Sequence, residues 1–591
     1  MVEVTESIEP VRAAADRQTV VRLALAVIAA FALRAVLLWL RGDFLDYDES
    51  MYLLIARSML EGDGVTLNGL PHTALGPFVP AATATLARLT GTALLTSQRI
   101  LTALCGALAL IPIWYLLRLY ARDQVVWIAV SLLAVWPALI DVAPKYGVMW
   151  HDMYAGTEPT FLLLLFASLA AGEAALRRRG WLGLALAALA GASLALAYTT
   201  RAEAIVFAGL YFVIRVLQSI RAGVADRRRL ALAVMALLGF FVFASPQLAY
   251  LHRATGEWML SGQPAVMRPA AEALQESFRF RDREAALSFL RTWYWLDEGH
   301  TYLLNPYFGT PEGVSRAGQK REYAEFAAAE APTQRRLPAR VANRLKNYGL
   351  ALWAVCGLLF LPFALLGIIR ERRRLIPPFV AAAFAASVLT SVYLAALPRF
   401  FLYLAPAFAL WAAHGVVGLG EYLRRFGDGR RFTPHIQVAL IVVAALSVLR
   451  VAGGAGARYL ESVAGEDREV AESLAGALPE GDPVMHWHPK FAFWGGWEWR
   501  TMPLAPLDDI AHYAATLEVR HVLLARGGYT PVRAELEYLY VALDPDLLAV
   551  LLASGAADSV AHEHPAMDLR PALLTGGQET AALILDDGQV E

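Results

Sequence analysis

The chain has 591 residues, of which 57% are hydrophobic and 18% are charged, and its formal net charge is −1. Soluble domains average about 45–50% apolar and about 25% charged residues, so this composition excludes an ordinary soluble protein and favours a membrane protein. A net charge near zero gives no reason to expect a nucleic-acid partner.

The excess apolar residues lie in blocks that have the length of membrane spans. A span needs about 20 residues, and the absence of water in lipid makes a helix the expected conformation. We therefore predict an α-helical polytopic membrane protein with about eleven transmembrane helices. In chain order the blocks are Thr19–Leu40, Ile100–Leu117, Val125–Val142, Phe161–Ala175, Trp181–Tyr198, Ala204–Ile220, Leu230–Leu251, Leu350–Ile369, Leu375–Leu397, Phe400–Leu419 and Ile436–Val451. The first block lacks a small-residue cleavage site, which predicts a retained anchor.

The placement of arginine predicts the orientation of these spans. Arginines cluster after the even-numbered blocks, for example at Arg177–Arg179, Arg227–Arg229 and Arg372–Arg374. The short loops on the opposite side hold few cations, namely Lys145, Arg201 and Arg399. By the positive-inside rule we expect a multi-pass protein of the plasma (inner) membrane with a cytoplasmic N-terminus. An odd number of spans then places the C-terminus outside.

The polar stretches predict the domain organisation. Residues 1–452 are expected to form the transmembrane module, with sizeable outer loops at 41–97 and 253–347. Residues 453–591 are expected to form a small extracytoplasmic α/β domain. Its predicted elements are strands at Asp482–His488, Val519–Leu524 and Ala581–Leu585 and a helix at Leu507–Leu517. The aromatic segment Phe491–Trp499 is interpreted as a buried strand and turn, with sugar stacking as the alternative.

The first outer loop opens with a cluster of acids. Asp43, Asp46, Asp48 and Glu49 follow the first apolar block, and the amphipathic run Met51–Leu60 comes next. A solvated acidic loop is the simplest interpretation. The neighbouring apolar helical run, which we expect to lie on the membrane surface, favours a functional role instead.

Several motifs together carry a resemblance to a known superfamily. Asp48–Tyr52 resembles the Asp-Glu-x-x-Tyr signature in the first outer loop of GT-C glycosyltransferases, which include protein O-mannosyltransferases and lipid A aminoarabinose transferases. Further similar segments occur in the same order and on the same predicted side of the membrane. They are Thr157–Phe161, Tyr198–Glu203, Pro398–Pro406 and, in the tail, Pro479–Asp482 with His488–Ala492.

This resemblance implies an inverting transfer of a sugar from a polyprenyl-phosphate donor to an extracytoplasmic protein, lipid or glycan acceptor at the membrane lipid surface. Such a transfer needs a base for the acceptor and cations for the phosphate that leaves. The match assigns the base to Asp48, with Glu49 as a weaker candidate. It gives Glu158 a role in assisting the acceptor or holding a metal or water. An alternative for Glu158 is a helix N-terminal acid stabilised by the helix dipole.

Few cations lie in the short predicted outer loops, so the presence of each one calls for an explanation. Lys145, Arg201 and Arg399 are candidates for binding the donor phosphate, because arginine grips phosphate bidentately and lysine acts as a point charge. The alternative is that they snorkel or pair with nearby acids such as Glu158 and Glu203.

Two other residues are candidates for accessory or acceptor-binding roles. Tyr52 closes the first motif, and His72 lies where many relatives carry a Pro-Pro segment. A histidine that is merely exposed in a loop is the alternative. His151 and Asp152 could join Glu158 around a divalent metal, but their spacing is not diagnostic, so the cofactor is left unknown.

Other function classes remain open. A polytopic transporter or lipid flippase usually shows paired repeats and midplane charges, whereas this sequence shows no repeat and places its polar clusters in outer loops. A structural or assembly protein would not need acids and cations gathered at one surface. A ligase using a diphosphate-linked glycan fits the order of the motifs less well.

Overall fold

The computed structural model describes most of the chain. The described residues are 17–40, 45, 47–67, 69–136, 139, 157–221, 227–262, 290–308, 316–330, 337–371, 376–393, 398–423, 425, 432–452, 468–469, 471–475, 478–486, 488–505, 507–519, 521–525, 567–572 and 580–585.

Helices dominate these residues. They are α1 Arg17–Leu40, α2 Tyr47–Glu61, α3 Phe78–Thr90, α4 Leu94–Leu108, α5 Leu110–Arg118, α6 Asp123–Ala134, α7 Thr157–Arg177, α8 Trp181–Thr200, α9 Glu203–Arg221, α10 Arg227–Thr255, α11 Arg316–Glu330, α12 Leu337–Cys356, α13 Leu361–Glu371, α14 Pro378–Tyr393, α15 Ala405–Leu423, α16 Phe432–Ala452, α17 Lys490–Gly495 and α18 Leu507–Thr516. Short 3₁₀ turns occur at Pro306–Phe308 and Pro398–Leu404. The strands are β1 Thr66–Leu67, β2 Leu70–Pro71, β3 Pro483–His486, β4 Glu498–Thr501, β5 His521–Ala525, β6 Met567–Ala572 and β7 Thr580–Leu585.

Several of these helices have the length and apolarity of membrane spans. Within the described part of the chain six stretches qualify, and a seventh is added if α12 and α13, bent by 100°, form one span. The six are Arg17–Trp39, Leu94–Arg118, Thr157–Arg177, Trp181–Thr200, Arg227–Thr255 and Arg399–Leu423. The chain is therefore a multi-pass membrane protein. The count of about eleven stays a prediction, because six or seven stretches of the described residues meet the criteria of length and apolarity.

The helices pack into a bundle with a continuous apolar core. α8 and α10 lie so close that a Cβ on Gly191 would come within 1.8 Å of the Ala236 carbonyl oxygen, a contact that only glycine permits. Elsewhere in the core, Trp136 stacks on Phe360 at 4.1 Å between ring centroids and donates a hydrogen bond to the Val355 carbonyl at 2.7 Å.

A five-stranded sheet is formed by the C-terminal part of the chain. Its strand order is β4-β3-β5-β7-β6, with β3 parallel to β4 and β5, and β7 antiparallel to β5 and β6. The three predicted strands and the predicted helix are confirmed as β3, β5, β7 and α18. The aromatic segment Phe491–Trp499 was predicted as a buried strand and turn, but its first half forms the short helix α17. Its end lies in β4 as a strand, where Trp499 is fully buried and donates a hydrogen bond to the His486 carbonyl at 2.8 Å.

Helix α2 lies between the bundle and this sheet. Its residues Glu49–Ala56 are all buried. Met51, Leu54 and Ile55 share one apolar cluster with residues that include Val484, Phe491, Ala492 and Trp499. We expected this helix to lie on the membrane surface, but its apolar face instead packs against other parts of the protein.

Candidate active site at four helix ends

The predicted site residues come together where helices begin and end. Asp48 lies in the first turn of α2 and Glu158 in the first turn of α7. Arg201 occupies the break between α8 and α9, and Arg399 lies in the 3₁₀ turn before α15. Acids are stabilised at helix N-termini, and a cation is stabilised at a C-terminus such as that of α8. The local sequence therefore favours these residues at these ends.

Arg399 and Asp48 form one ion pair. The Arg399 Nη1 donates a hydrogen bond to the Asp48 Oδ2 at 2.8 Å, although the two residues are 351 positions apart. The Arg399 side chain is 13% exposed and that of Asp48 is 24% exposed. The Arg399 guanidinium also lies 5.4 Å from the centre of the Phe400 ring. The ion pair is therefore partly buried, and solvent or a ligand can still reach the Asp48 carboxylate.

Arg201 bridges two carboxylates. Its Nη1 lies 2.6 Å from Glu158 Oε1, and its Nη2 lies 3.0 Å from Glu203 Oε1. The Thr157 hydroxyl donates a hydrogen bond to the other Glu158 oxygen at 2.9 Å. Burial alone would lower the pKa of Arg201, but the negative charges of Glu203 and Glu158 outweigh it, and the pKa is raised. Arg201 is therefore a permanent cation.

The two arginines, Asp48 and Glu203 line a single cleft together with parts of the first loop and of α10. Glu158 contacts Arg201 but is not among the described residues that line the cleft. The volume of the cleft is about 50 Å³, room for a few water-sized groups. Tyr52 also lines it, and the pKa of the Tyr52 phenol is raised by burial and by the negative charge of Asp48. The phenol therefore keeps its proton and can donate a hydrogen bond within the cleft. Polar groups that the sequence did not identify, Gln247 and Ser261, line another part of the cleft.

The first loop supplies one wall of the cleft, at Thr73–Gly76. His72 is buried, and its Nε2 accepts a hydrogen bond from the Leu75 N–H at 3.1 Å. The Tyr250 hydroxyl lies 2.9 Å from the His72 carbonyl oxygen and 2.6 Å from that of Val65. His72 is not among the described residues that line the cleft. The contacts of its ring and carbonyl hold the shape of this wall.

Gly76→Ala is expected to destabilise the protein by about 1–3 kcal/mol, the usual cost of overpacking. A Cβ at residue 76 would lie 2.3 Å from the Thr199 carbonyl oxygen and 2.4 Å from that of Thr200, so the wall must move away from α8. Thermal unfolding in detergent measures the loss. Gly209→Ala is the matched control, because nothing lies within 4 Å of that Cβ. Equal unfolding temperatures for the two variants would contradict the packing argument.

The structure leaves some predicted residues away from the cleft or outside the described part of the chain. Glu49 is buried and does not belong to the described cleft lining. Lys145, His151 and Asp152 lie outside the described residues. Among the residues that are described, no group of three or more His, Cys, Asp or Glu side chains is placed to hold a metal ion.

Glu203 is a residue of the site that the sequence identified only as a pairing partner. It lies in the first turn of α9, two residues after Arg201. Its acid type and position after a helix break are the signal that could have found it. Gln247 lies in the middle of a predicted span, where its approach to the cleft depends on packing that sequence does not reveal.

Comparison with known proteins identifies the fold. No protein-family model matches the chain, and no curated protein matches it. The crystal structure of ArnT from Cupriavidus metallidurans in the apo state is similar, with a TM-score of 0.50 and 14% identity over 96% of this chain and 97% of that chain. The same protein bound to undecaprenyl phosphate gives a TM-score of 0.50 and 14% identity over 96% of this chain and 98% of that one.

An oligosaccharyltransferase from Archaeoglobus fulgidus, in complex with Zn and sulfate, has a TM-score of 0.51 and 14% identity over 86% of this chain and 69% of that chain. At this identity the likeness shows the fold and leaves the activity open. The chain has the fold of ArnT and of this oligosaccharyltransferase.

Proposed function

We propose that this membrane protein is a glycosyltransferase that transfers a sugar from a polyprenyl-phosphate donor to an acceptor, with inversion at the anomeric carbon. The observation that carries the proposal is the cleft, which is lined by two arginines and two carboxylates at helix ends, with a third carboxylate paired to Arg201. Arginines bind phosphate through charge-assisted hydrogen bonds, and a carboxylate can accept the proton of an acceptor group. The undecaprenyl phosphate bound to ArnT, a protein of the same fold, supports a donor of this class.

In the proposed reaction Asp48 is the general base. Its carboxylate accepts the proton of the acceptor group while that group attacks the anomeric carbon. The bond between this carbon and the phosphate oxygen breaks, and the polyprenyl phosphate leaves with the bonding electrons. Asp48 suits the role because it is the most exposed of the paired acids, with 24% of its side chain accessible.

The arginines are proposed to stabilise the leaving phosphate. Negative charge grows on the phosphate as the bond breaks, and fixed cations near that oxygen lower the barrier. Arg201 is held rigidly by Glu158 and Glu203, so little reorganisation is needed. Arg399 supplies the second cation and, in the proposal, Lys145 a third. Glu158 serves mainly to orient Arg201, and Tyr52 to contact the substrate.

The membrane arrangement belongs to the same proposal. The cleft would face the extracytoplasmic side of the plasma membrane, with the N-terminus in the cytoplasm. The sheet region would form the extracytoplasmic α/β domain of residues 453–591, above a module of about eleven spans. The distribution of arginine among the loops supports this orientation.

Donor consumption tests the function directly. The purified protein in nanodiscs is expected to release polyprenyl phosphate from one member of a panel of synthetic polyprenyl-phosphate sugars, and to do so faster when a cell-envelope acceptor is added. Product release is followed by chromatography of the lipid. Failure to consume any donor with any acceptor fraction would refute the proposal.

A further inference from the structure

The helix that carries Asp48 is anchored at its opposite end by the C-terminal part of the chain. Arg57 lies in the later part of α2, nine positions after Asp48, which is about 14 Å along a helix. Its guanidinium reaches the end of α17: Nη1 lies 3.4 Å from the Ala492 carbonyl oxygen, and Nη2 donates a hydrogen bond to the Phe493 carbonyl. Its Cζ also lies 5.1 Å from the centre of the Phe493 ring.

These contacts suit both partners. A cation near the last carbonyls of a helix is favoured by the helix dipole. Helix α17 is capped by Gly496, which has a φ of 74° and whose N–H also bonds to the Ala492 carbonyl. Arg57 is half-buried, and burial lowers its pKa, while the negative charges of Glu61 and Glu480 oppose this change. The Arg57 guanidinium thus lies in the interface between α2 and the sheet region.

The N-terminal end of α2 also touches the sheet region, through weaker contacts. The Tyr47 ring meets His488 edge-on at 5.2 Å and Trp499 at 6.0 Å. Asp48 follows directly and is held by Arg399. In the proposed reaction this last contact changes when a substrate phosphate binds Arg399, whereas Arg57 is not among the described residues that line the cleft.

We propose that Arg57 is a positioning residue, which fixes α2 on α17 and thereby keeps Asp48 in place for catalysis when its pair with Arg399 opens. The inference rests on the proposed function, because it assigns Asp48 the role of base. It also makes the C-terminal region a structural part of the active site. A general base displaced by 1 Å loses much of its effect, so the anchor acts on the rate of the chemical step.

Steady-state kinetics of Arg57→Ala and Arg57→Lys test the proposal. Arg57→Ala is expected to lower kcat by about tenfold or more, with the KM for the donor unchanged within about twofold. Arg57→Lys keeps the charge and should recover part of kcat. Arg88→Ala, which removes an exposed arginine from α3, is the matched control and should leave kcat unchanged. A kcat for Arg57→Ala equal to that of wild type would overturn the proposal.

Amide hydrogen exchange supplies a readout that does not depend on turnover. In Arg57→Ala the amides of α2 are expected to exchange faster, while those of α8 and α10 keep wild-type rates. Faster exchange throughout the protein would indicate a general stabilising role and would overturn the positioning role. If wild type consumes no donor, the proposed function fails, and exchange in α2 still decides whether Arg57 anchors this helix.

Discussion

Asp48→Asn is expected to lower kcat by about 10²–10⁴-fold, the usual contribution of a general base. Asparagine keeps the size of the side chain, and its carbonyl oxygen can still accept the hydrogen bond that Arg399 donates at 2.8 Å. The substitution therefore removes the proton acceptor while the cleft keeps its shape. Single-turnover release of polyprenyl phosphate, measured with saturating donor, reports the chemical step.

The affinity of Asp48→Asn for polyprenyl phosphate distinguishes loss of the base from a structural change in the cleft. The neutral asparagine leaves the charge of Arg399 less compensated, so affinity for polyprenyl phosphate should stay the same or increase. Glu49→Gln is the matched control, because Glu49 is the adjacent acid and is not part of the described cleft lining. If Asp48→Asn keeps more than about a third of the wild-type kcat, Asp48 is not the base. Glu158 then becomes the candidate.

Arg201→Gln is expected to have the largest effect on stability, about 3–5 kcal/mol, the cost of removing one partner from a buried ion pair. Glu158 and Glu203 have side chains that are only 5% and 9% exposed, and both would lose the cation that compensates them. The same variant should bind polyprenyl phosphate more weakly. Thermal unfolding in detergent and lipid-phosphate binding measure the two effects.

A second substitution distinguishes these effects. Arg201→Gln combined with Glu203→Gln removes one of the stranded charges, so part of the stability should return. Phosphate binding should not return, because the cation is still missing. If the double variant binds the lipid phosphate as wild type does, Arg201 has a structural role alone. If Arg201→Gln unfolds at the wild-type temperature, the buried ion-pair argument is wrong.

The sequence predicted which residues lie at the site, but it left open which of them form ion pairs with one another. Asp48, Glu158, Arg201 and Arg399 were identified by residue type and motif. The structure brings Asp48, Arg201 and Arg399 to one cleft and pairs Glu158 with Arg201. Phosphate binding and pairing with acids were competing interpretations for the arginines. The structure shows the pairing of Arg201 with Glu158 and Glu203, and this pairing is compatible with binding a phosphate later.

Contacts between distant segments were beyond the reach of the sequence. The pair of Arg399 with Asp48 depends on two helix ends that meet only in the folded bundle. The same is true of α2: its apolar face is equally compatible with a membrane surface and with a protein interior, and only the sheet region decides between them. Strands were predicted more readily, because β3, β5 and β7 are apolar runs whose pattern is local.

The pairing of both arginines has a consequence for the enzyme without its donor. In the proposed mechanism a lipid phosphate that binds Arg399 competes with Asp48 for the same guanidinium, whereas Arg201 keeps Glu158 and Glu203 and offers its remaining N–H groups. While Arg399 holds Asp48, one oxygen of the carboxylate accepts the hydrogen bond from Arg399 Nη1. Arrival of the phosphate at Arg399 releases Asp48. In the proposed mechanism the donor thus frees the carboxylate that acts on the acceptor, so that this base becomes available only in the donor-bound protein.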